Sequence, residues 1–513
     1  MSTNTKISPD GEFIYTQQSK VPMGIISAEL QGLFGKKLLA EFADIIKYYD
    51  IYDNGAPFMH VETTEGVTDV RSRRSAILID KQARFMFSVP PDVTVEIEED
   101  DKEEASKIQS TYQSLVEKVE KETRLNQKLL RAAKDCFIGK RVAYTVNFDD
   151  ETGKITISFV PSLGFVYETD ENDTDTLRKL IVFYGVNDVL EKTDQRYYKK
   201  KYEMVNGKCI ITEGTYNGLG EVIEESDEIK TDFEYIPGGV ILNGGLTGDM
   251  TGESDIKNIA ELESSYNKMS SKDLDAENKN MNPITYTIDM DSNSTKNLPI
   301  TAGSFWDLDS NQNSDGKTGQ IGTIEPKMEY STALDTTLER VKANMFEMLD
   351  IPDTTSKGLQ GVVSSGKTLK AIYWGLMVRC DEKFAEWKNA LEHIAKTIID
   401  GCKMYEKARK RYSGEKLPDV EYSILVENNY PIQDDINEEK EMDLQEVHNK
   451  VRSKKSYMKK YLGLSDDEVE EELQQMARER QIEENAYGFI PSGDQTTRTP
   501  TFKDMLNQNE AQQ

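Results

Sequence analysis

The sequence predicts an α+β fold, and three observations carry that expectation. Apolar residues recur at helical spacing over several long stretches, the longest running from Lys367 to Tyr412. Between residues 141 and 212 the apolar period becomes that of strands, with turn chemistry between the runs. The two patterns are grouped and do not alternate in the regular strand–helix series of a parallel nucleotide-binding sheet. A length of 513 residues suggests about three folding units.

Taken in order, residues 1–25 are polar and read as an arm. From Ser27 to Tyr49, Leu30, Leu33, Leu38, Leu39, Phe42, Ile45 and Ile46 mark a helix. A second helix surrounds Arg74 to Met86, and Ser88 to Ile97 reads as a turn with a short strand. The acidic run Glu98, Glu99, Asp100 and Asp101, with Glu103 and Glu104, offers carboxylates to a divalent cation in one reading, and in the favoured one is a solvated loop and the first turn of a helix, where carboxylates suit the macrodipole. That helix shows Ile108, Tyr112, Leu115, Val119, Leu125, Leu129 and Cys136 in one stripe. Strands at Arg141–Phe148 and Lys154–Val160 flank Asp149-Asp-Glu-Thr-Gly, a hairpin turn. Further strands run from Leu180 to Val186 and from Tyr197 to Val205, and Asn206-Gly207 turns the chain into Cys209-Ile-Ile. Lys199, Lys200 and Lys201 read as an exposed hairpin.

Gly238 to Gly248 reads as a glycine-rich loop. It leads to a helix of about 25 residues from Glu253, with Ile256, Ile259, Leu262, Tyr266 and Met269 on one face. Short strands at Ile284–Met290 and Ile321–Ile324 bracket a polar stretch, and a second helix from Ser331 to Leu349 aligns Leu334, Leu338, Val341, Met345 and Leu349. A small β insertion is thus carried on two helices. After a flexible loop from Ile351, the longest helix carries Leu369, Ile372, Leu376, Cys380, Phe384, Trp387, Leu391, Ile394, Ile398, Cys402 and Tyr405 at steps of three or four, with Gly375 and Gly401 as points of bending. A strand at Val420–Val426 follows. Residues 434–485 are helical, with Ser465 to Glu468 as a capping box, and 486–513 form a polar tail.

Composition excludes several classes. Lys and Arg number 63 against 92 Asp and Glu, for a formal net charge of −29. A protein that grips DNA by neutralising phosphates shows the opposite balance. Such a chain lets a polyanion slide past unless local basic patches intervene. The four cysteines, Cys136, Cys209, Cys380 and Cys402, are far apart, which favours reduced thiols and excludes a zinc pattern. His60, His393 and His448 form no ligand pair. No secretory leader or run of about 20 apolar residues occurs, so synthesis in the cytoplasm is expected, with no membrane contact.

Gly361 to Thr368 satisfies the phosphate-loop pattern G-x4-G-K-[ST], with Lys367 as the phosphate lysine. That chemistry requires a buried strand immediately before the first glycine. Here Asp353 to Gln360 is polar and contains Gly358, which suits no central parallel strand. A phosphate-loop NTPase stays as the alternative reading, and the expectation is a protein that is not an enzyme and needs no cofactor or metal.

Three stretches carry a resemblance. One is Ser72–Val95 with Leu125–Tyr167, including Asp135-Cys-Phe-Ile-Gly-Lys-Arg-Val-Ala-Tyr144 and Pro161-Ser-Leu-Gly-Phe-Val-Tyr167. The second is Ile236-Pro-Gly-Gly-Val-Ile-Leu-Asn243, then Gly252-Glu-Ser-Asp-Ile256 and Tyr266-Asn267; the third is Ser365-Gly-Lys-Thr-Leu-Lys370. Their order and spacing resemble the portal proteins of long-tailed bacteriophages of Gram-positive bacteria. The resemblance explains the phosphate-loop match, because a Ser-Gly-x-x-Leu-Lys element is usual there in that family.

The resemblance implies a homo-oligomeric ring, typically a dodecamer, at one capsid vertex. Through it DNA is packaged by the terminase large subunit and later ejected. It implies an arm at 1–25, a wing at 26–250 completed by 366–430, stem helices at 251–280 and 328–350, a β clip at 281–327, a tunnel loop at 351–365, a helical crown at 431–485 and a tail at 486–513. The tunnel loop would place Asp353, Lys357, Leu359, Val362 and Val363 towards DNA, held non-specifically. The clip would offer Phe305, Trp306, Asp307 and Asp309 to the terminase and then to a head–tail adaptor. Major capsid and scaffolding proteins are further implied partners, with assembly in the host cytoplasm and a final place in the virion.

Overall fold

The computed structural model describes residues 6–7, 13–14, 33–57, 68–97, 102–170, 173, 175–186, 193–246, 249, 251–281, 284–291, 309, 319–324, 329–354, 366–414, 416–432, 436–462, 469–470 and 472–479. The chain divides into two compact units, residues 1–364 with 368–432, and 365–367 with 433–513.

In the first unit β1 (Lys6–Ile7) pairs β2 (Phe13–Ile14). Helices α1 (Leu33–Asn54) and α2 (Arg74–Phe87) follow, then β3 (Asp92–Ile97). The stripe expected as one helix forms two, α3 (Lys102–Thr123) and α4 (Leu125–Gly139). The break is at Arg124, whose φ of 54° is left-handed, while the stripe from Tyr112 to Cys136 is buried on both sides of it. Strands β4 (Arg141–Phe148) and β5 (Ile155–Pro161) make the expected hairpin.

Then comes a meander: β6 (Phe165–Thr169), β7 (Leu177–Gly185), β8 (Arg196–Val205), β9 (Lys208–Asn217) and β10 (Val222–Glu225), with β11 (Ile229–Lys230) also on β9. Asn206 and Gly207 both take positive φ, 54° and 80°, as a tight β-turn between right-twisted strands requires. Lys199–Lys201 correct the expectation of an exposed hairpin, because β8 lies between β7 and β9. Lys199 is buried, its ammonium 4.0 Å from the centroid of Tyr216, and Lys200 pairs with Glu213 at 2.5 Å.

The glycine-rich segment is a second correction. Gly238–Leu242 forms β12 and pairs with β4 from Gly238–Thr145 to Leu242–Arg141. Bare glycine is what permits it: a Cβ on Gly239 would lie 2.4 Å from the Tyr144 hydroxyl. The remaining elements are α5 (Asp255–Met281), β13 (Ile284–Ile288), β14 (Gln320–Ile324), α6 (Ser331–Met348), α7 (Gly366–Met404), α8 (Glu406–Tyr412) and β15 (Tyr422–Glu427), which pairs β3.

The long helix does not run unbroken to Tyr412: Tyr405 turns extended, with φ −95° and ψ 108°, between α7 and α8. Gly401 serves packing, since a Cβ there would meet the Phe148 ring at 2.0 Å. The expected stripe of α7 is buried from Leu376 through Cys402. Trp387, 1% exposed, sits edge-on to Phe87 at 4.9 Å and anchors the main core of α2, α3, α4 and α7. A second core lies under β6–β9, around Phe165, Tyr202 and Phe233. In the second unit α9 (Ile436–His448) and α10 (Lys454–Leu462) form a helical hairpin. The capping box at Ser465–Glu468 and the tail lie outside the described residues.

Candidate functional site

The region of interest is the helix pair α5 and α6, which carries the β13–β14 hairpin in full antiparallel register from Ile284–Ile324 to Ile288–Gln320. What fixes α5 is a polar ladder. Glu263, Asn267, Ser271 and Asp275 stand four residues apart on one helix face. Alongside runs the segment Thr68–Ser75. The backbone N–H of Thr68 donates to Asp275 Oδ1 (3.0 Å), that of Val70 to Ser271 Oγ (3.0 Å), that of Ser72 to Asn267 Oδ1 (3.0 Å) and that of Arg74 to Glu263 Oε1 (2.9 Å).

The match is metrical. Two extended residues advance roughly 6.6 Å and four helical residues roughly 6.0 Å, so every second amide meets every fourth side chain. Each such bond contributes about 1 kcal/mol net. Leaving these amides unpaired would cost more, because Glu263, Asn267 and Ser271 are all buried. Glu263 also accepts the Ser75 N–H at 3.0 Å and the Ser75 hydroxyl. Its carboxylate therefore stands on the N-terminus of α2, where the macrodipole favours an anion.

The root of α5 is a buried charged node. Ser254 caps the helix, its Oγ accepting the Ile256 N–H at 3.2 Å and donating to the Ile138 carbonyl at 2.6 Å. Asp255 receives Lys383 Nζ at 2.5 Å and Arg379 Nη2 at 3.0 Å from α7, Gln82 Nε2 at 3.1 Å from α2 and Asn243 Nδ2 at 3.3 Å from the end of β12. Lys383 also donates to Asn243 Oδ1 at 2.7 Å and lies 4.3 Å from the Phe137 ring centroid. Burial alone would raise the Asp255 pKa, but Lys383 and Arg379 outweigh it and hold the carboxyl below its ordinary range. Four segments meet at one carboxylate.

Arg379 extends the node to the far end of α6. Its Nη1 lies 3.7 Å from Asp350, the residue whose φ of 53° ends that helix. Ile351 is buried and Pro352 prevents continuation. Asp353 pairs with Lys342 at 3.1 Å, and Lys81 Nζ donates to Thr354 Oγ1 at 3.3 Å. Of the residues expected to face DNA, Asp353 is therefore placed beside α6; Lys357, Leu359, Val362 and Val363 lie outside the described residues. Of the four expected at the insertion, Asp309 is exposed and its carbonyl accepts the Asp291 N–H at 3.0 Å, while Phe305, Trp306 and Asp307 lie outside them.

Residues 351–354 form no strand, and every strand pairing among the described residues is antiparallel. That geometry does not supply the parallel strand a phosphate loop needs. All four cysteines are buried and free, and burial raises their thiol pKa values. His393 is buried with Nδ1 3.0 Å from the Tyr144 hydroxyl, and burial pushes its pKa down to about 4. Among the described residues no group of three His, Cys, Asp or Glu could hold a metal ion, and no helix is long and apolar enough to cross a membrane.

Apolar periodicity does not reveal the ladder or the node, because their residues are polar. The spacing of Glu263, Asn267, Ser271 and Asp275 was the available signal. Compared with known families, residues 69–486 match the family described as phage portal protein, SPP1 Gp6-like. No curated protein matches the chain.

Proposed function

The chain belongs to the SPP1 Gp6-like phage portal protein family, and from that premise we propose how its parts divide the work of a portal. The family match over 69–486 carries the functional conclusion: this is a portal protein, a component of the phage capsid serving genome packaging and ejection, and its family is structural, not catalytic.

In our reading, copies close into a ring, typically of twelve in this family, through heterologous contacts between neighbours. Helices α5 and α6 are the stem, and residues 281–327 are the clip that meets the terminase large subunit and later a head–tail adaptor. Residues 26–250 with 366–430 are the wing, and 431–485 the crown. Residues 351–365 are the tunnel loop that touches DNA during passage. The packing of α5 on α6 and the hairpin carried between them support the stem and clip. The net charge of −29 supports a channel that does not trap its cargo. Assembly takes place in the host cytoplasm, with capsid and scaffolding proteins as partners. Electron microscopy of the purified chain tests the reading. A ring with a central hole is expected, and a protein that stays monomeric at every salt and protein concentration would refute it.

A further inference from the structure

Within the second unit, itself acidic, one short segment carries the opposite sign. Between Glu446 and Asp466 there is no acid, and Lys450, Arg452, Lys454, Lys455, Lys459 and Lys460 fall within eleven residues. In a chain of net charge −29 this is a local reversal of sign. The fold organises it around one carboxylate. Asp443 of α9 is buried and accepts Lys460 Nζ at 2.9 Å and the Tyr461 hydroxyl at 2.7 Å, and it pairs with Arg452. These bonds close the α9–α10 hairpin, and the Tyr457 ring lies tilted against Tyr461 with ring centroids 5.0 Å apart.

The hairpin leaves Lys450, Lys454, Lys455 and Lys459 exposed. Lys454 and Lys455 stand in the first turn of α10, where the macrodipole disfavours cations. Lysine is depleted in the buried centres of protein interfaces. A duplex, by contrast, offers a negative charge about every 1.7 Å along its axis and accepts point cations in any register.

We propose that this face of the α9–α10 hairpin is a second binding surface for double-stranded DNA, separate from residues 351–365, with its lysines on backbone phosphates. The inference rests on the portal reading for its cargo and adds a holding point to a chain whose net charge is negative. Binding of this kind is sequence-independent and weakens steeply with salt.

The test uses the full-length chain, a short fluorescein-labelled duplex and a series of salt concentrations. The variant combines K450Q, K454Q, K455Q and K459Q; a second variant replaces the same four lysines by arginine. Wild type should bind, and the glutamine variant should lose about tenfold or more in affinity. Its slope of log K against log salt should flatten by about 0.9 for each phosphate that is no longer neutralised. The arginine variant should keep both. Equal slope and affinity in wild type and glutamine variant would overturn the inference, as would a wild type that binds no duplex. Loss of oligomerisation in the glutamine variant, with duplex binding per chain unchanged, would also overturn it and assign the face to a neighbouring copy. Microscopy of the same samples separates the two readings. Rings whose duplex binding ignores the four lysines refute only this inference, and lysine-dependent binding without rings refutes only the ring.

Discussion

Replacing Asp255 by Asn keeps its shape and removes its charge, leaving Lys383 and Arg379 buried against an amide. Lys383 is 8% exposed and has no other carboxylate within ion-pair distance among the described residues; Arg379 retains Asp350 at 3.7 Å. Breaking a buried pair from one side costs about 3–5 kcal/mol. The lower end is expected here because Asn243 still accepts from Lys383. Substituting both partners, Asp255→Leu with Lys383→Met, removes the orphan charge. That pair should lose less than the sum of its single changes, with a coupling of about 1.5 kcal/mol or more. Urea unfolding followed by Trp387 fluorescence, in a Trp306→Phe, Trp374→Phe background, reads the unit that contains the node. The sign in pH is also fixed. A carboxyl held below its unfolded pKa of about 3.9 stabilises above that pH, and the stabilisation is lost as pH falls through the folded value. The gap between wild type and Asp255→Asn should therefore narrow in acid. A loss under about 1 kcal/mol at neutral pH, or strict additivity in the double variant, would refute the node as an electrostatic anchor.

Glu263→Gln puts an NH2 group against one of two converging amides, so it should cost about 2–3 kcal/mol, more than an isolated missing bond, in the same unfolding assay. His393→Gln should flatten the acid limb of stability: the fold keeps the ring neutral down to about 4 while the unfolded chain protonates near 6.5, a loss of up to about 3 kcal/mol across that window. Asp135, whose pKa burial raises to about 6, works in the opposite sense, so the difference between variant and wild type is the quantity to measure. Lys367→Ala should leave ring assembly intact and change no nucleotide binding; Lys367-dependent ATP hydrolysis by pure protein would contradict it. Cysteines placed at 357 or 359 should crosslink between adjacent copies and block DNA passage, and normal packaging by crosslinked rings would exclude that loop as the gate.

Element type was legible wherever one face is apolar. The stripe from Leu376 to Cys402 needed only its spacing, and the Asp149–Gly153 hairpin only its turn residues. Failures came where tertiary packing overrides local pattern. A stripe continuous across residues 108–136 gives no sign that Arg124 turns left-handed, because both halves bury the same face. Gly238–Leu242 looks like loop because glycine has little strand propensity, yet bare backbone fits there beside Tyr144. Lys199 carries a charge that suggests solvent, while its ammonium rests on Tyr216. At the candidate site the helices and insertion were readable, but the anchors were not. Polar residues on a helix face are assigned to solvent until their partners are known.

Those anchors decide how the helix pair can move. An apolar face tolerates sliding of one helix past another by small repacking steps. The ladder does not. Shifting Thr68–Ser75 by one residue would turn its donor amides away from α5, and sliding it along α5 by one or two residues would carry the four acceptors off the facing side. Helix α5 is thus registered to α2 through Glu263 and to α7 through Asp255, and only concerted loss of several buried bonds releases it. Helix α6 ends with a different kind of hold: a single left-handed residue at Asp350, a long ion pair to Arg379 and the half-exposed Lys342–Asp353 pair. Half-exposed pairs of that sort contribute about 1 kcal/mol or less. Residues 350–354 are therefore held by weaker contacts than those that fix α5.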